Sequence, residues 1–284
     1  MDTIGATLFE NEGFLESPRW YGGQLWMSDV LGEKVLCVDG GGSIRTVCQL
    51  QDLPSGIGFL PDGRLLIVTM KARRLLSCSA GSVAPYLDLR DLNAGTPNDM
   101  AIDESGRAYV GDLGFDLFER HARGSDGRLM LVRNCRDASV VADELAYPNG
   151  IALTSAGDTL IVAETDADRL TAFTIRGDGS LTRRRVFAQL PAGSSPDGLC
   201  LDQEGAAWVA AFNGERFLRV KSGGQVIQCL RTPGQRAVAC VLGGVSRRSL
   251  YCLMARTSPE DLRRGESQSR LEVVDVTVPG AGIP

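Results

Sequence analysis

Hydrophobic and polar positions repeat along this chain in a fixed order. Each repeat begins with a proline and a pair of small or polar residues, continues into an apolar run, turns at a glycine and enters a second apolar run. Four clear copies span residues 54–68, 97–111, 148–163 and 196–210. Short apolar runs separated by glycine turns are typical of paired β-strands. Weaker copies surround Pro18 and Ala239.

The spacing of these copies predicts the architecture. Their reference positions are residues 18, 54, 97, 148, 196 and 239, so successive copies lie 36 to 51 residues apart. One four-stranded blade of a β-propeller takes about 40–50 residues. Six copies therefore predict an all-β fold: a six-bladed β-propeller with four antiparallel strands per blade, in a single domain over residues 1–284.

The remaining apolar runs fit the outer strands of the blades. Residues 34–39, 169–174 and 217–220 are predicted as third strands, and residues 225–230 as a fourth. A late strand over residues 271–276 is expected to pair with an N-terminal strand near residues 6–9. This pairing closes the ring and removes an open sheet edge. The polar segment 116–127 is expected to be a loop between strands.

Composition restricts the partners and the location. The chain has 30 Lys and Arg against 35 Asp and Glu, and its net charge of −5 disfavours nucleic acid and anionic membranes as partners. It has no apolar run of the ~18 residues that a membrane-spanning helix needs, and its start lacks signal-peptide features, so a cytoplasmic location is expected. None of the eight cysteines forms a CxxC pair, which favours free buried thiols.

The single histidine restricts the chemistry. His121 alone cannot build a histidine-rich zinc site, and no GxSxG motif marks a serine nucleophile. Any metal must therefore be held mainly by oxygen atoms, which favours calcium, magnesium or manganese over zinc and iron. A solvated loop position is favoured for His121, and the sequence leaves open whether it or the loop 116–127 joins a site.

One position of the repeat carries oxygen-bearing side chains. In three copies the residue after the proline is Asn98, Asn149 or Asp197; the first copy offers Glu16 and the second Ser55. These residues begin the innermost strands, so we expect them to converge at one mouth of the central channel. Glu16, Asn98, Asn149 and Asp197 supply two carboxylates and two amide oxygens, which suit a hard cation. The alternative is that they are ordinary turn residues, but recurrence in four blades favours a site.

Several segments resemble a known family. Residues 16–20, 97–99, 147–152 and 195–202 read ESPRW, PND, YPNGIA and SPDGLCLD. In order and spacing they resemble the SMP-30/gluconolactonase/LRE (regucalcin-like) family, whose members are six-bladed propellers that bind a divalent metal and hydrolyse lactones. The resemblance covers nearly the whole chain and implies a metal-dependent lactonase.

The resemblance also implies residue roles. Glu16, Asn149 and Asp197 match ligands of one divalent ion, which the sequence leaves open as Ca, Mn, Zn or Fe(II); no organic cofactor is expected. Asn98 matches a residue that contacts substrate or a metal-bound water. Asp197 also matches the proposed general base, with the ion acting as a Lewis acid on the lactone carbonyl.

One position departs from the family pattern. Members that act on sugar lactones tend to carry an arginine two residues before Asn98, where this chain has Thr96. A hydroxyl in place of a forked cation removes an anchor for sugar hydroxyls, and Phe115 lies in the nearby apolar segment 113–115. Asn98, Thr96 and Phe115 are therefore the candidate substrate contacts, and we expect a lactone or ester less polar than gluconolactone.

Two other classes of function stay open. The chain is also compatible with a non-catalytic calcium-binding or protein-binding propeller, because a propeller fold does not determine a function. It also matches a propeller enzyme similar to strictosidine synthase, in which a channel carboxylate acts without metal. Turnover separates a lactonase from the first class, and metal dependence separates it from the second. The expected partner is a small lactone or ester, and the oligomeric state stays open.

Overall fold

The structure is a computed structural model that describes residues 5–92, 95–119 and 126–282; in these ranges the chain forms six four-stranded antiparallel sheets. The first strands of neighbouring sheets contact one another in a closed ring. The sheets are therefore the blades of a six-bladed β-propeller, which confirms the predicted fold.

The blades follow the chain in order. Blade 1 contains β2 (Leu15–Tyr21), β3 (Gln24–Asp29), β4 (Lys34–Val38) and β5 (Ile44–Gln49). Blade 2 contains β6 (Pro54–Phe59), β7 (Leu65–Thr69), β8 (Arg74–Ser79) and β9 (Ser82–Asp88). Blade 3 contains β10 (Pro97–Ile102), β11 (Ala108–Asp112), β12 (Gly127–Asn134) and β13 (Asp137–Leu145).

The second half of the chain repeats this arrangement. Blade 4 contains β14 (Pro148–Leu153), β15 (Thr159–Glu164), β16 (Arg169–Ile175) and β17 (Leu181–Gln189). Blade 5 contains β18 (Pro196–Leu201), β19 (Ala207–Ala211), β20 (Arg216–Val220) and β21 (Val226–Arg231). Blade 6 contains β22 (Arg236–Gly243), β23 (Ser249–Arg256), β24 (Gln268–Asp275) and the N-terminal β1 (Ala6–Glu12). A short helix, α1 (Pro259–Arg264), connects β23 to β24.

The hydrophobic core lies between the blades. In β7, Leu65 and Ile67 pack in a cluster shared with blade 1, whereas Leu66 and Val68 pack in a cluster shared with blade 3. This division follows from the strand period, because successive side chains point to opposite faces of the sheet. Strands buried on both faces read as continuous apolar runs, which explains the sequence pattern.

The ring closes as predicted. β1 pairs with β24 in antiparallel register, with Ala6 opposite Val273 and Phe9 opposite Leu271. The N-terminal strand thus becomes the outermost strand of blade 6, and the two ends of the chain hold the ring together. In the part of the chain that the structure describes, no helix has the length and apolar character needed to cross a membrane.

The alignment of the first repeat was wrong by three residues. Leu15 pairs with Asp29 at the end of β3, just as Pro54 pairs with Thr69 at the end of β7. Leu15, not Pro18, is therefore equivalent to the other prolines. A proline suits this first strand position because it needs no ladder hydrogen bond there, but a leucine fits as well. Glu16 consequently occupies the same position as Ser55.

Glycines let the first strands of neighbouring blades approach closely. A Cβ at Gly56 would lie 2.8 Å from the Asn98 carbonyl oxygen, and a Cβ at Gly150 would lie 2.5 Å from the Asp197 carbonyl oxygen. Both contacts are with backbone atoms of the next blade, which cannot swing aside. Close approach of these strands narrows the channel around its axis.

Substituting Gly150 tests this constraint. Gly150→Ala should lower the free energy of unfolding by about 1–3 kcal/mol, because the added methyl group overpacks a rigid contact. Gly177→Ala is the matched control, since a Cβ there meets nothing within 4 Å. Urea unfolding of both variants measures the effect. Equal stability of the two variants would contradict the close-approach argument.

Candidate active site

The predicted oxygen-bearing residues meet at one mouth of the channel. The Ser55 hydroxyl lies 3.0 Å from Glu16 Oε2 and 2.7 Å from Asn98 Oδ1. Asn98 Nδ2 donates to Asn149 Oδ1 at 2.9 Å, and the Asn149 side chain hydrogen-bonds to Asp197. The first strands of blades 1 to 5 thus bring five polar side chains into one arc, as their shared position in the repeat predicts.

A small cavity lies against three residues of this arc. Glu16, Asn149 and Asp197 line it together with Arg19 and Asp99. Its volume is about 10 Å³, close to the smallest space that holds one water molecule. Asn149 and Asp197 are buried, at 8% and 6% exposure, although they face this cavity. The cavity has room for a small ion or a single water.

The cavity is a poor environment for negative charge. Burial raises the pKa of Glu16 to about 7; the charge of Asp99 adds to this, while Ser55 and Arg19 partly offset it. Burial also raises the pKa of Asp197 well above its usual range, and the charge of Glu16 raises it further. Two carboxylates that share a poorly solvated space disfavour each other's ionised form. A bound cation would relieve this repulsion.

A buried ion pair lies beside the cavity and was not singled out by the sequence analysis. Arg19 and Asp99 are each 6% exposed, and Arg19 Nη2 lies 2.7 Å from Asp99 Oδ1. Asp99 also accepts hydrogen bonds from Ser17 Oγ and from the Ile151 backbone N–H. The available signal was a charged residue, Arg19 or Asp99, within the first strand of a blade.

Two further residues support the arc. Asn149 Nδ2 lies 3.4 Å from Thr165 Oγ1, which donates to the Pro196 carbonyl oxygen at 2.7 Å. Thr165 therefore ties blade 4 to blade 5 next to Asp197. Burial, and to a smaller extent the charge of Asp197, raise the pKa of Tyr147.

Thr96 supports a loop of the channel mouth. It is 1% exposed; its backbone N–H donates to the Phe115 carbonyl oxygen at 2.9 Å. Its hydroxyl accepts a hydrogen bond from the Leu117 N–H at 3.0 Å. The Thr96 side chain thus holds the segment that follows β11 and is not among the residues that line the cavity.

Phe115 belongs to an apolar part of the mouth. Its ring packs edge to face against Tyr147, with centroids 5.2 Å apart. Leu117 and Phe212 are half-buried and pack against the cluster between blades 6 and 1.

His121 lies outside the described residues, as do residues 120–125 of the predicted loop.

Carboxylates alone do not form a metal centre here. Within residues 5–92, 95–119 and 126–282, no group of three or more His, Cys, Asp and Glu side chains is arranged to hold a metal ion. A cation in the cavity would therefore use amide oxygen as well as Glu16 and Asp197, and Asn149 lines the cavity with both.

Comparison with known proteins gives a family match. A family model described as "SMP-30/Gluconolactonase/LRE-like region" matches residues 14–256. A 6-deoxy-6-sulfogluconolactonase from Pseudomonas putida is 26% identical over 267 residues, which cover 92% of this chain and 89% of that protein. A regucalcin from Danio rerio is 31% identical over 163 residues, 56% of this chain; the match spans about half, 54%, of that protein.

A solved structure has the same fold. It is described as a calcium-binding protein, regucalcin, from Agrobacterium tumefaciens. The two chains superpose with a TM-score of 0.76 at 20% identity, covering 98% of this chain and 97% of that one. At this identity the likeness shows a shared fold.

The burial of Glu16 predicts a pH dependence of stability. In chelated protein, the free energy of unfolding should fall as pH rises from about 4.5 to about 7, the interval between the ordinary and the folded pKa of Glu16. In that interval the folded state retains a proton that the unfolded chain has released, so rising pH favours unfolding. Glu16→Gln should flatten this slope in urea unfolding measured at several pH values.

An exposed carboxyl group serves as the control. A hydrogen bond from the Arg64 side chain lowers the pKa of Asp62, so Asp62 stays ionised across the interval. Asp62→Asn should leave the wild-type slope unchanged. A slope that Glu16→Gln does not reduce would show that Glu16 is not the titrating group.

Proposed function

This chain belongs to the SMP-30/gluconolactonase/LRE-like family, and we propose on that premise that it is a metal-dependent hydrolase that opens lactone rings. The observation that carries the proposal is the meeting of Glu16, Asn149 and Asp197 around one cavity. The relative from Pseudomonas putida, which is named a lactonase, supports the substrate class.

The side chains around the cavity fit a divalent cation. Glu16, Asn149 and Asp197 would hold it through two carboxylates and one amide, which are ligands that hard cations prefer. The raised pKa values of Glu16 and Asp197 support this assignment, because a cation would stabilise the ionised forms that burial and neighbouring carboxylates disfavour. Of Ca, Mn, Zn and Fe(II), this all-oxygen set favours calcium, and the fold neighbour from Agrobacterium is described as calcium-binding.

The chain's own residues then orient the substrate and transfer the proton. When bound, the ion supplies Lewis acidity toward the lactone carbonyl. Asp197 accepts a proton from the attacking water and passes it to the ring oxygen, whose bond to the carbonyl carbon breaks as the bond to the water oxygen forms. Asp197 is placed for this proton transfer because it lines the cavity in which the ion would lie. Asn98, hydrogen-bonded to both Ser55 and Asn149, orients the substrate.

The mouth of the channel suits a substrate less polar than gluconolactone. Phe115 and Tyr147 present an aromatic pair beside the arc. The Thr96 hydroxyl is engaged by the Leu117 N–H and offers no forked cation for sugar hydroxyls. We therefore propose a lactone or ester with an apolar substituent that contacts Phe115.

A calcium-binding propeller without catalysis is the second candidate. The relatives named regucalcin favour it. Both candidates use the same cavity, because both need a cation held by the same ligands. Turnover of a lactone supports the first candidate, and cation binding without turnover of any lactone or ester supports the second.

Substitution of Asp197 tests the catalytic role. Asp197→Asn keeps the size and an oxygen ligand but cannot accept the proton, so kcat/KM should fall by about 10²–10⁴-fold. Asp158→Asn is the control, because Asp158 bonds Thr154 on an exposed turn and should retain wild-type activity. Thermal unfolding checks that both variants fold. Wild-type turnover by Asp197→Asn would contradict the general-base role.

Substitution of Phe115 tests the substrate preference. Phe115→Ala should raise KM about tenfold for an alkyl-substituted lactone and much less for gluconolactone, since a lost apolar contact is worth about 1–3 kcal/mol. Phe118→Ala, on the exposed part of the same segment at 40% exposure, is the control. An equal loss for both lactones would indicate a general disturbance of the loop.

A further inference from the structure

The ion pair between Arg19 and Asp99 takes no part in the proposed chemistry, yet it lies beside the cavity. Both side chains are almost fully buried, and both line the cavity with Glu16 and Asp197. Burying two charges costs free energy that their attraction does not always recover. A pair held at this place therefore calls for an explanation in terms of the site.

Hydrogen bonds fix the orientation of Asp99. Its Oδ1 accepts from Arg19 Nη2 at 2.7 Å and from Ser17 Oγ at 3.1 Å, and its Oδ2 accepts from the Ile151 N–H at 3.0 Å. Both oxygens are engaged, by partners on blades 1 and 4. Asp99 therefore lies beside the cavity as a third carboxylate that is turned to protein donors.

Hydrogen bonds also fix Arg19 to the ring. Its guanidinium donates to the Pro18 carbonyl oxygen of its own blade and to the Met100 carbonyl oxygen of blade 3. The positive charge cannot swing out to solvent. This charge acts at the cavity, because Arg19 and Asp99 line the cavity together with Glu16.

We propose that Arg19 sets the cation affinity of the cavity by holding Asp99 out of the ligand set and cancelling its charge. With Arg19 in place, the four charged groups sum to −2, which a divalent cation neutralises. Without Arg19 they sum to −3, and Asp99 is released to attract or bind the cation. The number of ligand charges is a main determinant of calcium affinity. This inference rests on the proposed cation site.

A double-mutant cycle tests the inference through the sign of the effects. Calcium binding to chelated protein is measured by calorimetry for wild type, Arg19→Met, Asp99→Asn and the double variant. Arg19→Met should bind calcium at least about tenfold more tightly, because repulsion is lost and a carboxylate is freed. Asp99→Asn should bind about tenfold more weakly, since Arg19 stays unpaired. The double variant, with the charge sum restored to −2, should bind within about threefold of wild type.

Opposite changes in calcium affinity for Arg19→Met and Asp99→Asn separate this role from a structural one. If the pair only held the blades together, Arg19→Met and Asp99→Asn would both weaken binding, and that result would overturn the inference. Arg19→Lys keeps the charge and should stay within about threefold of wild type. Should Arg19→Met not fold, Arg19→Gln removes the charge while keeping hydrogen-bond donors and tests the same sign.

Titration of the wild-type protein with metal ions distinguishes failure of the proposed cation site from failure of the role proposed for Arg19. Failure of wild type to bind calcium, manganese, zinc or iron(II) would overturn the cation site and this inference together. Binding by wild type with an affinity that Arg19→Met leaves unchanged would overturn this inference alone.

Discussion

Two buried carboxylates, Glu16 and Asp197, share a cavity with room for about one water molecule. The other side chains at the channel mouth are arranged around these two acids. Burial raises the free-energy cost of ionising both Glu16 and Asp197, and the charge of Glu16 adds to the cost for Asp197. The surrounding side chains reduce this cost: Ser55, Asn98 and Asn149 form a hydrogen-bonded arc between the two acids. A bound cation would complete the compensation.

The fold supplies this arrangement because it is a closed ring. Each first strand is fully engaged by its own blade and by the first strands of its neighbours. Gly56 and Gly150 remove the side chains that would hold these strands apart. Pairing of β1 with β24 prevents the ring from opening, so the distances between site residues on different blades are set by the packing of the whole molecule.

The sequence was enough to predict the blade number, the ring closure and the residues of the arc, because the repeat places equivalent residues at equivalent positions. The sequence was misleading where the type of a residue does not correspond to its position in the structure. Pro18 matched the repeat by residue type, whereas the strand register gives that place to Leu15. Thr96 occupies the place of an arginine in the family pattern, but its hydroxyl bonds the Leu117 N–H. The partnership of Arg19 with Asp99 joins different blades, and no local pattern encodes such a contact.

The most direct test of metal-dependent lactone hydrolysis is proton release in a pH-stat, measured on a panel of sugar and alkyl lactones. Each lactone is assayed with chelated protein and again after calcium, manganese, zinc or iron(II) is restored. We expect that chelation abolishes hydrolysis, that at least one of these ions restores it, and that alkyl-substituted lactones are preferred. Hydrolysis that survives chelation, or no hydrolysis of any lactone with any of the ions, would contradict this expectation.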